Sequence, residues 1–419
     1  MVRAVVHASE LLTGAGFRAR DGRRPTDEDC GKVADGALVY ETRRAKVPYR
    51  GSIEVPGAVL WAGPTSRMPR EYRRAKAHDL GKRHALVPGL VDCHTHLVFA
   101  GDRSEEFAER CAGATYEEIA AKGGGIVRTV DATRAMKEVD LLRIACARVE
   151  AAMALGVRTI EVKSGYGLDE KTELKCLKVV RKLREHFPGV EFQATFLGAH
   201  AFPKNVERGA YLSQLVDRML PEVARLKLAE ACDVFVDRGY YTREEGAAIL
   251  RRARDLGLAV KIHADELANT ESAALAAELG CLSADHLLKI SEAGVRALAA
   301  SDTTAVLLPG TAFYLKAPHA PARKLIDAGA RVALATDFNP GSSMINHLPA
   351  ILTMGALYLG MSRAELLCAV TYNGARALGM HGRVGTLEPG MRALHWVVPF
   401  ERFEDSYYRF AWTPVSTRP

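Results

Sequence analysis

Two histidines spaced as His94-Thr95-His96 follow the apolar run Gly89-Leu90-Val91. Alternate residues of a strand point to the same side, so both imidazoles can converge on one point. Three further segments end short apolar runs in the same kind of residue: His263-Ala264-Asp265-Glu266, Asp285-His286 and Thr336-Asp337-Phe338-Asn339. One strand-end histidine is most often a satisfied polar residue. Several of them, with an aspartate, at four such ends form a donor set for one divalent metal ion, Zn²⁺ or Fe²⁺. The chemistry of such a site is attack by a metal-activated water.

These residues need a scaffold that brings strand ends together. From about residue 86 the sequence alternates short apolar runs with helical segments. The runs are 85–96, 159–165, 192–200, 232–237, 258–266, 282–286, 304–309 and 332–339. Between them, Leu174, Leu177, Val180, Leu183 and Phe187 recur at helical spacing before a Pro188-Gly189 stop. Thr242-Arg243-Glu244-Glu245 reads as a capping box, and the Ala-rich stretch 269–279 closes on Gly280. Eight strand–helix alternations predict an α/β fold, a (β/α)₈ barrel over 86–383, with its active site at the C-terminal strand ends. The β-like textures of 1–85 and 384–419 predict a small β-sandwich domain assembled from both ends of the chain. A long insertion, 101–158, carries Gly123-Gly124-Gly125, a candidate hinge for a lid.

Composition narrows the classes. Of 419 residues, 48% are hydrophobic and 26% charged, which excludes a mainly disordered chain. The net charge of +7 has its densest basic runs at 18–24 and 67–83. They hold a single interleaved aromatic, Tyr72, and read as solvated surface rather than a nucleic-acid site. No apolar stretch approaches membrane-spanning length, and the first twelve residues do not read as a signal peptide. The eight cysteines are scattered without a C-x-x-C pair, so reduced thiols in the cytoplasm are expected, most of them packing as small hydrophobes.

The stretch Pro88-Gly89-Leu90-Val91-Asp92-Cys93-His94-Thr95-His96 resembles the opening metal motif of the amidohydrolase superfamily. Within it, the chain resembles the imidazolonepropionase family over about residues 85–390. Gly113-Ala114-Thr115-Tyr116, Gly123-Gly124-Gly125-Ile126, Lys163-Ser164-Gly165-Tyr166-Gly167-Leu168, Gly198-Ala199-His200 and Asp337-Phe338-Asn339-Pro340-Gly341 carry that likeness. It implies hydrolytic opening of the ring of 4-imidazolone-5-propanoate to N-formimidoyl-L-glutamate, the third step of histidine degradation. It implies one metal held by His94, His96, His263 and Asp337. It implies substrate contacts at Arg103, Tyr166, His200, Glu266, Asn339, Gly341 and Ser342, with Tyr116 a weaker candidate, and a homodimer.

On that footing Glu266, His286 and Asp337 are the catalytic candidates. Asp337 would ligate the metal and accept the water's proton. His286 would hold the nucleophile or stabilise the developing oxyanion. Glu266 would deliver a proton to the ring nitrogen. Arg103 offers a planar fork to the propionate. Glu266 follows His263 by three residues, so strand alternation alone puts it out of phase; it reaches the ring only if the strand has ended. Binuclear relatives carry a modified lysine at the end of strand four, where this chain has Asp233 to Asp237, so one metal is expected. A mononuclear nucleobase deaminase shares most of this shell; Arg103 and the 163–168 and 339–342 loops argue against it. The pattern departs after Gly390, where Met391-Arg392 stands in place of Ala-Asp and a further strand pair is expected.

Overall fold

The computed structural model describes residues 1–113 and 124–414. The first part of the chain forms β1 (Val2–Leu12), β2 (Lys32–Val47), β3 (Gly51–Pro64), β4 (Lys76–Asp79) and β5 (Ala85–Pro88). The barrel strands follow: β6 (Leu90–Asp92), β7 (Val157–Lys163), β8 (Glu191–Ala199), β9 (Ala231–Val236), β10 (Ala259–Ala264), β11 (Ser283–His286), β12 (Thr304–Leu307) and β13 (Arg331–Leu334). They pair in parallel in chain order from β6 to β13. Beyond the last ladder, His96 N donates to Phe338 O (3.0 Å) and Asp337 N to His94 O (3.0 Å). These bonds join the extensions of β6 and β13 and close the barrel at the level of the expected ligands.

The small sheet draws on both chain ends. Its order is β14-β5-β1-β2-β3, with β4 beside β1; β14 is His395–Val398. On β1, whose register shifts between Val5 and Ala8, Val5, Ala8 and Leu11 join one apolar cluster and Ala4 another. The tail adds one strand among the described residues, and the chain beyond it turns back onto the barrel. Trp412 O accepts from His347 Nε2 (2.8 Å), and Tyr407 O accepts from Thr353 Oγ1 (2.6 Å), on the helix Leu348–Leu359 and its N-cap.

One expectation is corrected and one refined. The run 85–96 is not one strand: β5 belongs to the small sheet and β6 to the barrel. Gly89 makes the switch, because a Cβ there would lie 2.6 Å from the Arg158 side chain. Within the basic run 18–24, Arg18, Arg20 and Arg24 are exposed as read, and only Arg23 is half-buried. Arg23 Nη donates to Ala299 O and Ser301 O, both at 2.7 Å, and Arg331, almost fully buried, pairs with Asp21. Cations there satisfy carbonyls at the end of the helix Glu292–Ala299, the end that favours positive charge. The Thr242–Glu245 capping box forms as read. Six of the eight cysteines are buried, and all eight are unpaired. Among the described residues no helix is long and apolar enough to cross a membrane.

Candidate active site

Three barrel strands end in a sharp backbone turn. Asp265, His286 and Asp337 adopt φ of 48°, 81° and 49°, in the left-handed region that non-glycine residues rarely occupy. Such conformations persist where surrounding structure over-determines them, and they cluster at functional sites. The turn at Asp265 also settles the phase of Glu266. β10 stops at Ala264, so Glu266 escapes the strand's alternation and joins His263 on the cavity wall. Asp265 itself is spent on the turn, accepting from Thr270 N (2.8 Å), Ser272 Oγ (2.9 Å) and Ala273 N (3.1 Å).

The imidazoles meet as the spacing predicts. One nitrogen from each of His94, His96 and His263 falls in a group within 4.8 Å, and so do atoms of His94, His286 and Asp337. Asp337 Oδ1 lies 3.4 Å from His94 Nε2 and 3.5 Å from His96 Nε2. Its other oxygen accepts from Thr311 Oγ1 at 2.5 Å. His94 Nε2 and His263 Nε2 are buried without a hydrogen-bond partner. Burial holds the His94, His96 and His286 imidazoles well below their usual pKa, hence neutral, with lone pairs free. Orphaned imidazole nitrogens converging beside a carboxylate fit a divalent cation. The opposite nitrogens are oriented from below: His94 Nδ1 is 2.6 Å from Asp285 Oδ2, and His263 Nδ1 is 2.9 Å from Asp233 Oδ2.

Above this cluster opens a cavity of about 690 Å³. It is lined by His96, His263, His286, Asp337, Glu266, Arg103, Tyr166, His200, Asn339, Gly341 and Ser342. His94 lies beneath them, fully buried. Tyr116 and Gly123 lie outside the described residues. Burial, with Asp337 and Asp237 nearby, pushes the Glu266 carboxyl well above the carboxylate range. Its Oε2 sits 3.6 Å from His286 Nε2. Burial likewise raises Asp337 to about 6. His200 stacks on His96 with ring centres 5.0 Å apart, and burial lowers its pKa to about 3. Tyr166 packs among His96, His200 and Phe99. Asn339 has its amide engaged by its own loop, accepting from Gly341 N and Ser342 N and donating to Asp337 O. It organises the loop that presents Gly341 and Ser342.

Several residues at the site carried no signal in the sequence. Glu173 accepts from Gly165 N, Gly167 N and Leu168 N at 2.7–2.9 Å, and so fixes the loop that bears Tyr166. Glu106 accepts from Arg103 Nε at 2.8 Å and aims its guanidinium. That guanidinium packs against Gly341, where a Cβ would stand 2.4 Å from Nη1, so a larger residue there would displace it. Arg110, also at the cavity, donates to Gly341 O at 3.1 Å. Asp237 ties the turn together by accepting from the backbone of Glu266, Leu267 and Ala268.

The chain matches the amidohydrolase family over residues 85–405, and it belongs to that family. Solved structures agree on the fold at low identity. An adenosine deaminase from Xanthomonas campestris with bound zinc superposes with a TM-score of 0.65 at 16% identity, covering 93% of this chain and 83% of that one. A 5-methylcytosine deaminase from Klebsiella pneumoniae gives 0.67 at 16%, covering 96% and 92%. Closer in sequence are imidazolonepropionases. That of Bdellovibrio bacteriovorus is 43% identical over 389 residues, covering 92% of this chain and 88% of its own. That of Porphyromonas gingivalis is 46% identical over 408, covering 97% and 93%. Within the amidohydrolases this chain is a member of the imidazolonepropionase family.

Proposed function

We propose that the cavity opens the ring of 4-imidazolone-5-propanoate by hydrolysis of its amide C–N bond, yielding N-formimidoyl-L-glutamate as in histidine degradation. The observation that carries this reading is the juxtaposition, at the floor and wall of one cavity, of convergent metal-donor side chains, with His94 just beneath, and an arginine aimed by a buried carboxylate. His94, His96, His263 and Asp337 would hold one divalent ion, Zn²⁺ or Fe²⁺, since the nitrogen and carboxylate donors suit both. When bound, the ion supplies hydroxide at neutral pH by lowering the pKa of water to about 7.

The chain's own groups do the rest. Asp337 accepts the attacking water's proton at its carboxylate. His286, neutral and beside Glu266, orients the nucleophile or donates to the oxyanion that develops on the ring carbonyl. Glu266 keeps its proton in the buried cavity and gives it to the departing ring nitrogen. His200 and Tyr166, neighbours with ring centres 5.4 Å apart, both contact the flat ring, and His200, held neutral, donates or accepts without adding charge. Tyr116 is proposed to add a contact from the insertion. Arg103 meets the propionate, on the loop wall formed by Gly341 and Ser342. The protein is proposed to work in the cytoplasm as a homodimer.

Arg103→Ala is expected to raise KM for the imidazolone roughly ten- to a hundred-fold, from the roughly 1.5–3 kcal/mol of a charge-assisted bond. It should leave kcat within a few-fold, because the contact is made equally in ground and transition states. Steady-state kinetics check this; a collapse of kcat at unchanged KM would move Arg103 from recognition to chemistry. Disappearance of the substrate's ultraviolet absorbance, with the ring-opened product identified by mass, tests the reaction itself.

A further inference from the structure

The barrel interior beneath the histidines is charged. Glu161 and Lys163 on β7, Asp233 on β9, Lys261 on β10 and Asp285 on β11 are all fully buried. A charge in such a place is costly unless it is paired, and here the pairing is specific. Lys163 Nζ lies 2.7 Å from Asp233 Oδ2, 3.0 Å from Glu161 Oε2 and 3.4 Å from Asp285 Oδ2. The same two aspartate oxygens face His263 Nδ1 and His94 Nδ1. One ammonium therefore clasps both carboxylates that face the Nδ1 atoms of two proposed metal ligands. The main chain of Lys163 braces the third, since Lys163 N donates to Thr95 O (2.9 Å), between His94 and His96.

Lys261 supplies an internal comparison. It is as deeply buried, but its Nζ lies against Glu161 Oε2 (2.8 Å) and Cys93 O (3.1 Å) and makes no ion pair with Asp233 or Asp285, acting on Asp285 only from a distance. The donors His94, Glu161 and Asp285 also cluster within 4.8 Å, a grouping that resembles a second cation site. The Lys163 ammonium already lies against both of those carboxylates.

Resting on the metal-site reading above, we propose that Lys163 is a positioning residue for the metal centre: its side chain locks Asp233 and Asp285, and through them the imidazoles of His263 and His94, and it takes the place of a second cation in the barrel. Partners that orient ligating histidines are commonly worth about 10- to 100-fold in metal affinity.

The test compares Lys163→Met with Lys261→Met. Both remove a buried ammonium and both should lower thermal stability. Zn²⁺ affinity, measured by chelator competition, should fall about 10- to 100-fold in Lys163→Met and stay within about three-fold of wild type in Lys261→Met. The visible spectrum of the Co²⁺-loaded protein should change in intensity and position only for Lys163→Met, as its ligands loosen. Asp233→Asn, which keeps the side chain's volume, carries the same expectation through His263 and serves if Lys163→Met does not fold. Wild-type affinity and spectrum in Lys163→Met, or in Asp233→Asn where that variant is used, would overturn the proposal. So would an equal loss in Lys261→Met. A wild-type protein that binds no metal would instead overturn the metal-site reading on which it rests.

Discussion

Replacing His263 with alanine should leave a folded protein that retains little divalent metal and lowers kcat/KM by about 10³-fold or more. His263 contributes one of the nitrogens that converge on His94 and His96, and its Nε2 is buried without another partner. Metal activation of water is worth several kcal/mol of barrier, and each 1.4 kcal/mol, about, is a tenfold change in rate. The fold should survive because the shortened side chain faces the cavity rather than the packed shell between strands and helices. Metal content by elemental analysis, beside circular dichroism and turnover, separates the two losses. Full metal occupancy with unchanged turnover would remove His263 from the site.

Glu266→Gln should lower kcat by about 10²- to 10⁴-fold, the usual range for a positioned proton donor. The carboxyl is buried among Asp337 and Asp237, which pushes its pKa well above the ordinary carboxylate range. The sign follows directly. The proton-bearing form is the working form, so the wild-type rate falls as pH rises through that raised value. Glutamine cannot lose the proton, so the variant should show no such alkaline limb from this group. A pH–rate profile for both proteins checks it. An identical alkaline limb in Glu266→Gln would assign that limb to another group, and a kcat within a few-fold of wild type would end the proton-donor role.

How far the sequence reveals this site depends on the range of the interactions involved. The ligand set is legible because strand alternation is local: His94 and His96 share a face by spacing alone, and each of the other donors closes an apolar run. Glu266 illustrates the limit. Its spacing from His263 points away from the site, and only the left-handed turn at Asp265 brings it back. The 85–96 run misleads because both halves are buried on all sides, so hydrophobicity is continuous where the chain passes from one sheet to the other. Lys163, Asp233 and Asp285 stay hidden for another reason. Their types and positions can be read, but what they do cannot, because their partners lie 70 and 122 positions away. Glu106 and Glu173 read as helix-surface acids until the loops they hold are seen. Arg23 reads as solvated charge until its carbonyl partners appear.

The most direct test is hydrolysis of freshly prepared 4-imidazolone-5-propanoate by the metal-loaded protein in water labelled with heavy oxygen. The account predicts stoichiometric N-formimidoyl-L-glutamate with one labelled oxygen in the carboxylate newly formed from the ring carbonyl, and no such product from His263→Ala. Unchanged substrate with a full complement of metal, or ammonia released from a ring that stays closed, would contradict it.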